Sequence, residues 1–281
     1  MKTIINSFKR IHGFKALMAF TICLSFLIFS SCQKDEFNQD STLGLEVLSS
    51  SALSKTSKIS YGKVKDVEGN VYKTVRIGKQ WWMAENLAYL PTVSPPAEGA
   101  DPKSPTAPYY YVYGYYGTDV AEAKATDNYK MFGVLYNWPA AMTACPSGWH
   151  LPSDAEWTTL ETYLTMNGYG YEGSGNDIAK SLASKSGWVE SPNAGQVGND
   201  QTSNNSSGFT GLPCGSRYWD YPGYWGDFRL KGGNGYYWSS TNGEVGSNSD
   251  AWGRVLESYS QNLTHWRLGG VSGNGVRCVK D

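Results

Sequence analysis

Apolar and polar residues begin to alternate regularly only after residue 60. Lys63–Val67 and Val71–Ile77 alternate with a period of two across Glu68-Gly69-Asn70, which predicts two half-buried strands joined as a β-hairpin. Gly78 turns the chain into a third short strand, Gln80–Met83. The period changes at the centre of the chain, where Cys145–Trp157 reads CPSGWHLPSDAEW. Two turns there lead into Ser153 and, three residues later, Glu156. This is the spacing of a capping box, in which each residue satisfies a backbone N–H that the first helical turn leaves unpaired. Trp157, Leu160 and Leu164 follow at i, i+3 and i+7, so the helix buries one stripe and stops near Gly168.

Weaker patterns surround this core. The apolar run Phe132–Trp138 leads to Asn137, which caps a brief helix through Ala144 with Pro139 in its first turn. Asn176–Ser186 reads as a second central helix, with Ile178 and Leu182 on one face and Gly187 as its stop. Short strands are expected at Phe209–Pro213, Tyr236–Ser240, Ala251–Leu256, His265–Leu268 and Val276–Val279. Tyr109–Tyr116 holds seven residues that are tyrosine or valine and one glycine, and as a strand it would send successive rings to opposite faces. Pro91–Pro108 and the Gly-, Asn- and Ser-rich Glu190–Gly208 contain no aromatic residue and are expected to be loops, the second one exposed. Helices in the middle and strands at both ends predict an α+β domain whose termini meet in one sheet.

Composition sets the boundaries of that domain. All 11 Trp and 20 Tyr of the 281 residues lie at or after Tyr61, so the domain is expected to span 61–281. Residues 1–15 are basic, and Ala16–Phe29 is a 14-residue apolar run, short for a bilayer span. Phe29-Ser30-Ser31-Cys32 closes it and is similar to a bacterial lipobox, with Phe29 where leucine is usual. Residues 1–31 are thus expected to be a lipoprotein signal peptide and Cys32 the acylated residue, joining the protein to membrane lipid; the other reading is an ordinary signal peptide cut nearby. Two or three acyl chains anchor stably where one does not. Gln33-Lys34-Asp35-Glu36 resembles the acidic export signal of surface lipoproteins of the Bacteroidota, and reads equally as a solvated charged tether. Residues 32–60, Ser-rich and without Trp or Tyr, are expected to be a flexible tether. The expected location is the outer membrane, facing outward. Residues 32–281 hold 20 basic and 25 acidic side chains, a net of −5, which argues against a nucleic-acid partner.

Several motifs carry a family resemblance. They are Trp82-Met83-Ala84-Glu85-Asn86-Leu87, the central CPSGWHLPSDAEW, Gly208-Phe209 through Leu212-Pro213, Tyr237-Trp238-Ser239-Ser240-Thr241 and the closing Val276-Arg277-Cys278-Val279-Lys280-Asp281. Together, and in this order, they resemble the Fibrobacter succinogenes major paralogous domain, whose members are typically secreted or lipid-anchored and mostly without an assigned ligand. Leu-Pro-Ser-Asp-Ala-Glu-Trp before a helix, with a Gly-Val-Arg-Cys-Val ending, is also similar to the C-type-lectin-like fold and to the formylglycine-generating enzyme family. The resemblance implies a lectin-like topology, which brings the start of the central helix against the last strand and so implies a Cys145–Cys278 disulfide. Cys214, where the family usually has glycine, is then free or buried.

No catalytic residue, cofactor or metal site is expected. Of the histidines, His150 and His265 fall in the domain without a neighbouring Cys or His at metal-ligand spacing, and His150 reads as a structural hydrogen bonder. Asp154, Glu156 and Glu161 are explained by capping and the helix dipole; Asp227 and Glu257 have no evident partner. The acid-Pro-Asn and Trp-Asn-Asp motifs of calcium lectins are absent from the sequence. An aromatic platform remains as a route to glycan binding, since sugar C–H faces stack on aromatic rings. Arg217, Trp219, Asp220, Tyr221, Tyr224, Trp225 and Asp227 form the candidate loop, whose other reading is that its rings close the core. The expected function is non-catalytic adhesion to an extracellular glycan or host surface protein; the alternative is a structural or protein-interaction module of an outer-membrane or adhesin assembly.

Overall fold

A computed structural model describes residues 59–99, 106–218, 226–244 and 247–281, which belong to one compact unit. The N-terminal hairpin forms as the alternation predicts. β1 (Ser60–Lys65) pairs antiparallel with β2 (Val71–Ile77), closing at Lys65↔Val71. Buried Asp66 holds the turn by accepting from the Asn70 backbone and side chain, both at 2.9 Å, and from the Tyr72 hydroxyl. Gly78, at φ 62°, makes the left-handed turn into β3 (Gln80–Met83), which pairs back on β2.

The chain then runs through β4 (Tyr110–Tyr111), α1 (Val120–Ala125), α2 (Asp127–Phe132), β5 (Leu135–Tyr136), α3 (Trp138–Ala141), β6 (Trp149–His150) and α4 (Asp154–Met166). After α5 (Ala179–Leu182) come β7 (Ser216–Tyr218), β8 (Asp227–Arg229), β9 (Asn234–Glu244), β10 (Ser247–Glu257), β11 (Thr264–Gly269) and β12 (Val279–Lys280). β12 inserts between β3 and β6, giving the order β1-β2-β3-β12-β6, so both ends of the domain do meet in one sheet. A second antiparallel sheet has the order β11-β10-β9, and β4-β5 and β7-β8 form two-stranded pairs. The fold is therefore α+β, built on small antiparallel sheets with few helices.

The centre matches its sequence pattern closely. Ser153 Oγ accepts from the Glu156 N–H and a Glu156 carboxylate oxygen accepts from the Ser153 N–H, completing the capping box. Trp157, Leu160 and Leu164 are the buried residues of α4, and Gly168 at φ 76° ends it. Trp157 packs against Trp82 of the first sheet, with ring centroids 4.7 Å apart, and near Tyr237 of the second. One core is thereby shared by the two sheets and the helix. Cys145 and Cys278 are bonded, with Cα atoms 5.9 Å apart, joining the segment before β6 to the approach to β12.

Several regions differ from the sequence expectation. The tyrosine run is a strand only at Tyr110–Tyr111, because Tyr115 N–H donates to Val112 O and turns the chain; Tyr110, Tyr111 and Val112 are all buried, so no two-faced ladder forms. The helix expected over 176–186 is the single turn of α5, since Ala183 is already extended. The tract 190–208 is not simply exposed. It wraps buried Lys180, whose ammonium donates to the carbonyls of Gln196, Asn199 and Asp200, and Ser191, Val197, Asn204 and Ser207 are buried with it. Burial lowers the Lys180 pKa, and these carbonyls replace the water the ammonium loses. Phe209–Pro213 makes only a single bridge, Gly211 to Ala183, and the strand expected over Val276–Val279 is reduced to Val279–Lys280. Helices α1 and α2 carry no apolar stripe to announce them: each has six residues and one buried side chain, Ala123 and Phe132, and depends on its cap, Asp119 or Thr126.

Candidate functional site

Of the predicted aromatic loop, Arg217 and Asp227 lie among the described residues. Arg217 lies in β7 with no exposed surface, so it is not a ligand-facing residue. Its guanidinium donates to Pro96 O through Nε at 2.8 Å, to Val271 O through Nη1 at 2.8 Å and to Glu98 O through Nη2 at 3.0 Å, and it lies over the Tyr111 ring. Burial lowers its pKa, and carbonyl oxygens take the place of a counter-ion. Arg217 is a staple that fixes the proline-rich loop to β7, a role that sequence cannot distinguish from ligand binding. Asp227 sits at the far end of the pair, opposite Tyr218, and is half-exposed beside Arg229 at 2.9 Å. Trp219, Asp220, Tyr221, Tyr224 and Trp225 lie outside the described residues, as does Cys32.

The other singled-out groups are engaged in the fold. His150 bridges Asp281 through Nδ1 at 2.6 Å and Glu156 through Nε2 at 2.8 Å. Partial burial opposes its charged form, but these two hydrogen bonds outweigh that and raise its pKa. Asp154 and Glu161 do more than complement the helix dipole. Arg254 of β10, almost fully buried, donates to Asp154 at 2.6 Å and to Glu161, and His265 lies 2.9 Å from Asp154, so α4 is clamped to one face of the second sheet. Cys214 is a free, fully buried thiol, and desolvation pushes it up to about 11, opposite to the shift a reactive thiolate needs. Among the described residues no His, Cys, Asp and Glu cluster has the make-up of a metal site, and no helix is long and apolar enough to cross a membrane.

The opposite face of that sheet is where an open site lies. Successive strand residues point to opposite sides, and the register sets Tyr237, Arg254 and His265 across from one another on the face toward α4. Tyr236, Val255 and Thr264 are therefore aligned on the other face, with Asn234 beside Glu257 at one end and Trp266 and Leu268 further along β11. A cleft of about 420 Å³ opens over this face, closed on its far side by Ser216 and Tyr218 of β7, by Leu230 and by Ser272 and Asn274.

The lining combines apolar side chains with a chain of hydrogen bonds. Trp266 is 58% exposed, and Leu268, Val255 and Leu230 are the other apolar lining residues. Among the polar lining residues, Asn234 Nδ2 donates to the Tyr236 hydroxyl at 3.2 Å, which lies 3.4 Å from the Tyr218 hydroxyl. Burial and the Tyr218 contact raise the Tyr236 pKa, so this phenol stays a proton donor. Ser216 Oγ donates to Asn274 Oδ1 at 2.7 Å, while Asn274 Nδ2 is buried without an acceptor among the described residues. Glu257 Oε2 accepts from Thr264 Oγ1 at 2.9 Å. Glu257 and Arg267 are the charged lining residues, and Arg267 Nε lies 3.3 Å from Asp250. An exposed indole is thus set among mixed hydrogen-bond donors and acceptors, a make-up common to ligand-binding clefts. The signal that marks the cleft in the sequence is the alternation Asn234/Tyr236, Val255/Glu257 and Thr264/Trp266/Leu268, which puts polar and aromatic groups on one strand face.

The sequence model described as the Fibrobacter succinogenes major domain matches residues 75–280, a span that includes α4, the second sheet and every residue lining the cleft. No curated protein and no solved structure matches the chain.

Proposed function

The chain belongs to the Fibrobacter succinogenes major domain family, and from that premise we propose that it is a lipid-anchored, outward-facing outer-membrane protein whose C-type-lectin-like domain binds an extracellular glycan without catalysis. The observation that carries this reading is the cleft, which exposed Trp266 lines together with the linked hydroxyls and amides of Tyr218, Tyr236 and Asn234. Sugar rings have the same two-sided character, an apolar C–H face edged by hydroxyls. The aromatic segment Trp219–Trp225 follows Tyr218 directly in the chain, and its composition supports the same reading.

Trp266→Ala tests the binding step. Because the side chain is largely in solvent, the variant should keep its melting temperature within a few degrees while retention on a glycan array falls at least about ten-fold, the size of effect expected for a central aromatic contact. Unchanged retention would overturn the reading, and a blank array with a defined protein captured from intact cells would favour a protein-interaction module. The anchor is tested separately. Cells fed labelled palmitate should yield labelled protein, and Cys32→Ala should abolish the label; an unlabelled mature wild-type protein would remove the anchor from the proposal.

A further inference from the structure

We propose that the cleft selects uncharged pyranose rings over acidic ones, and that Glu257 is the residue that sets this preference. The inference rests on the glycan-binding reading above and adds the class of ligand. Glu257 stands on β10 directly opposite Asn234 of β9, at the end of the strand face that floors the cleft. Thr264 occupies one of its oxygens, and the described residues supply no donor to the other, so the carboxylate faces an occupant as an acceptor. Asn274 Nδ2 makes the complementary demand. It belongs to a side chain 1% exposed in the cleft lining, lacks any acceptor among the described residues, and is held in orientation by Ser216 on its own Oδ1.

An occupant that brings an acceptor atom to Nδ2 gives this buried donor its partner. The occupant must therefore donate at one place and accept at another. A sugar hydroxyl does both. A uronate, sialate or sulfate group only accepts, so it suits Asn274 and is repelled by Glu257. The nearby cation does not cancel this repulsion: Arg267 points its Nε at Asp250, adding a second carboxylate beside its own positive charge. Lys231, next in the chain to Leu230, is turned away toward Asn128 at 3.2 Å and the Tyr113 ring. Asp227 and Arg229 answer each other.

The test compares neutral oligosaccharides with counterparts carrying a carboxylate at C6, for example cellulose fragments and amylose fragments, each against its own C6-oxidised form. The full-length protein should bind the neutral member of a recognised pair at least ten-fold more tightly. Glu257→Gln, which keeps the shape and the Thr264 contact, should shrink that ratio about ten-fold, chiefly by improving binding of the acidic member. Equal or tighter binding of the acidic member by the wild type, or a ratio that Glu257→Gln leaves unchanged, overturns this proposal alone. Failure of both series to bind overturns the binding reading and this inference with it.

Discussion

Replacing Cys145 and Cys278 together with serine is expected to cost about 5 kcal/mol of stability and to lower the melting temperature by roughly 10 to 20 °C. The bond joins residues 133 apart in sequence, so its loss returns a long loop's freedom to the unfolded chain. In the folded state it ties the segment before β6 to the residue before β12, and β12 is the strand that connects β3 to β6. Because a domain's total margin is typically about 5 to 15 kcal/mol, the double variant should be partly unfolded at physiological temperature. Urea melts of wild type and variant, each with and without reductant, measure the effect; a loss under about 1 kcal/mol would show that the sheet closes without the bond.

Arg277→Leu should be of similar size for a different reason. The Arg277 side chain is fully buried in the core, between the rings of Phe209 and Tyr237. Its Nε donates to Asn86 Oδ1 at 2.7 Å, Nη1 to Met83 O at 3.1 Å and Phe209 O at 2.6 Å, and Nη2 to Thr210 O at 2.6 Å. One planar group thus satisfies oxygens from two segments far apart in the chain, 83–86 and 209–210. Leucine would fill part of the space and leave these acceptors dry and unpaired, at about 1 to 3 kcal/mol each, so a loss of about 5 kcal/mol or more is expected. Arg277→Lys should recover only part of it, because a point charge with three donors does not span the positions that the guanidinium fork reaches. Urea unfolding and the yield of soluble protein read the effect, and a leucine variant within about 1 kcal/mol of wild type would refute this account of the core.

Arg217, set beside the buried Arg277, shows where reading a sequence for function goes astray. Both sit among aromatic residues, and both are fully buried staples for backbone carbonyls. Arginine beside Tyr and Trp has the composition of a binding loop and equally of an irregular core that must satisfy its own loop carbonyls. Only the position of those carbonyls separates the two. Asp154 and Glu161 gave a similar ambiguity: helix position accounts for their sign, while their shared partner, Arg254, lies almost a hundred residues away at the separation of 93 from Glu161 and 100 from Asp154.

What the sequence determined by itself is local. The hairpin of β1 and β2, strand β3, the capped helix α4 and its buried stripe, and most of the second sheet were legible because their periods and caps involve residues within a few positions of one another. Tertiary structure decided the rest. It broke the tyrosine run after two strand residues, folded the 190–208 tract around Lys180, and turned Arg217 inward. It also brought Tyr218, Tyr236, Glu257, Trp266 and Asn274 around one cleft. Those residues come from three strands of one sheet, a neighbouring strand and a late loop, and no periodicity records which distant backbone will face which strand. Burial and hydrogen-bond satisfaction choose that arrangement only when the whole domain closes.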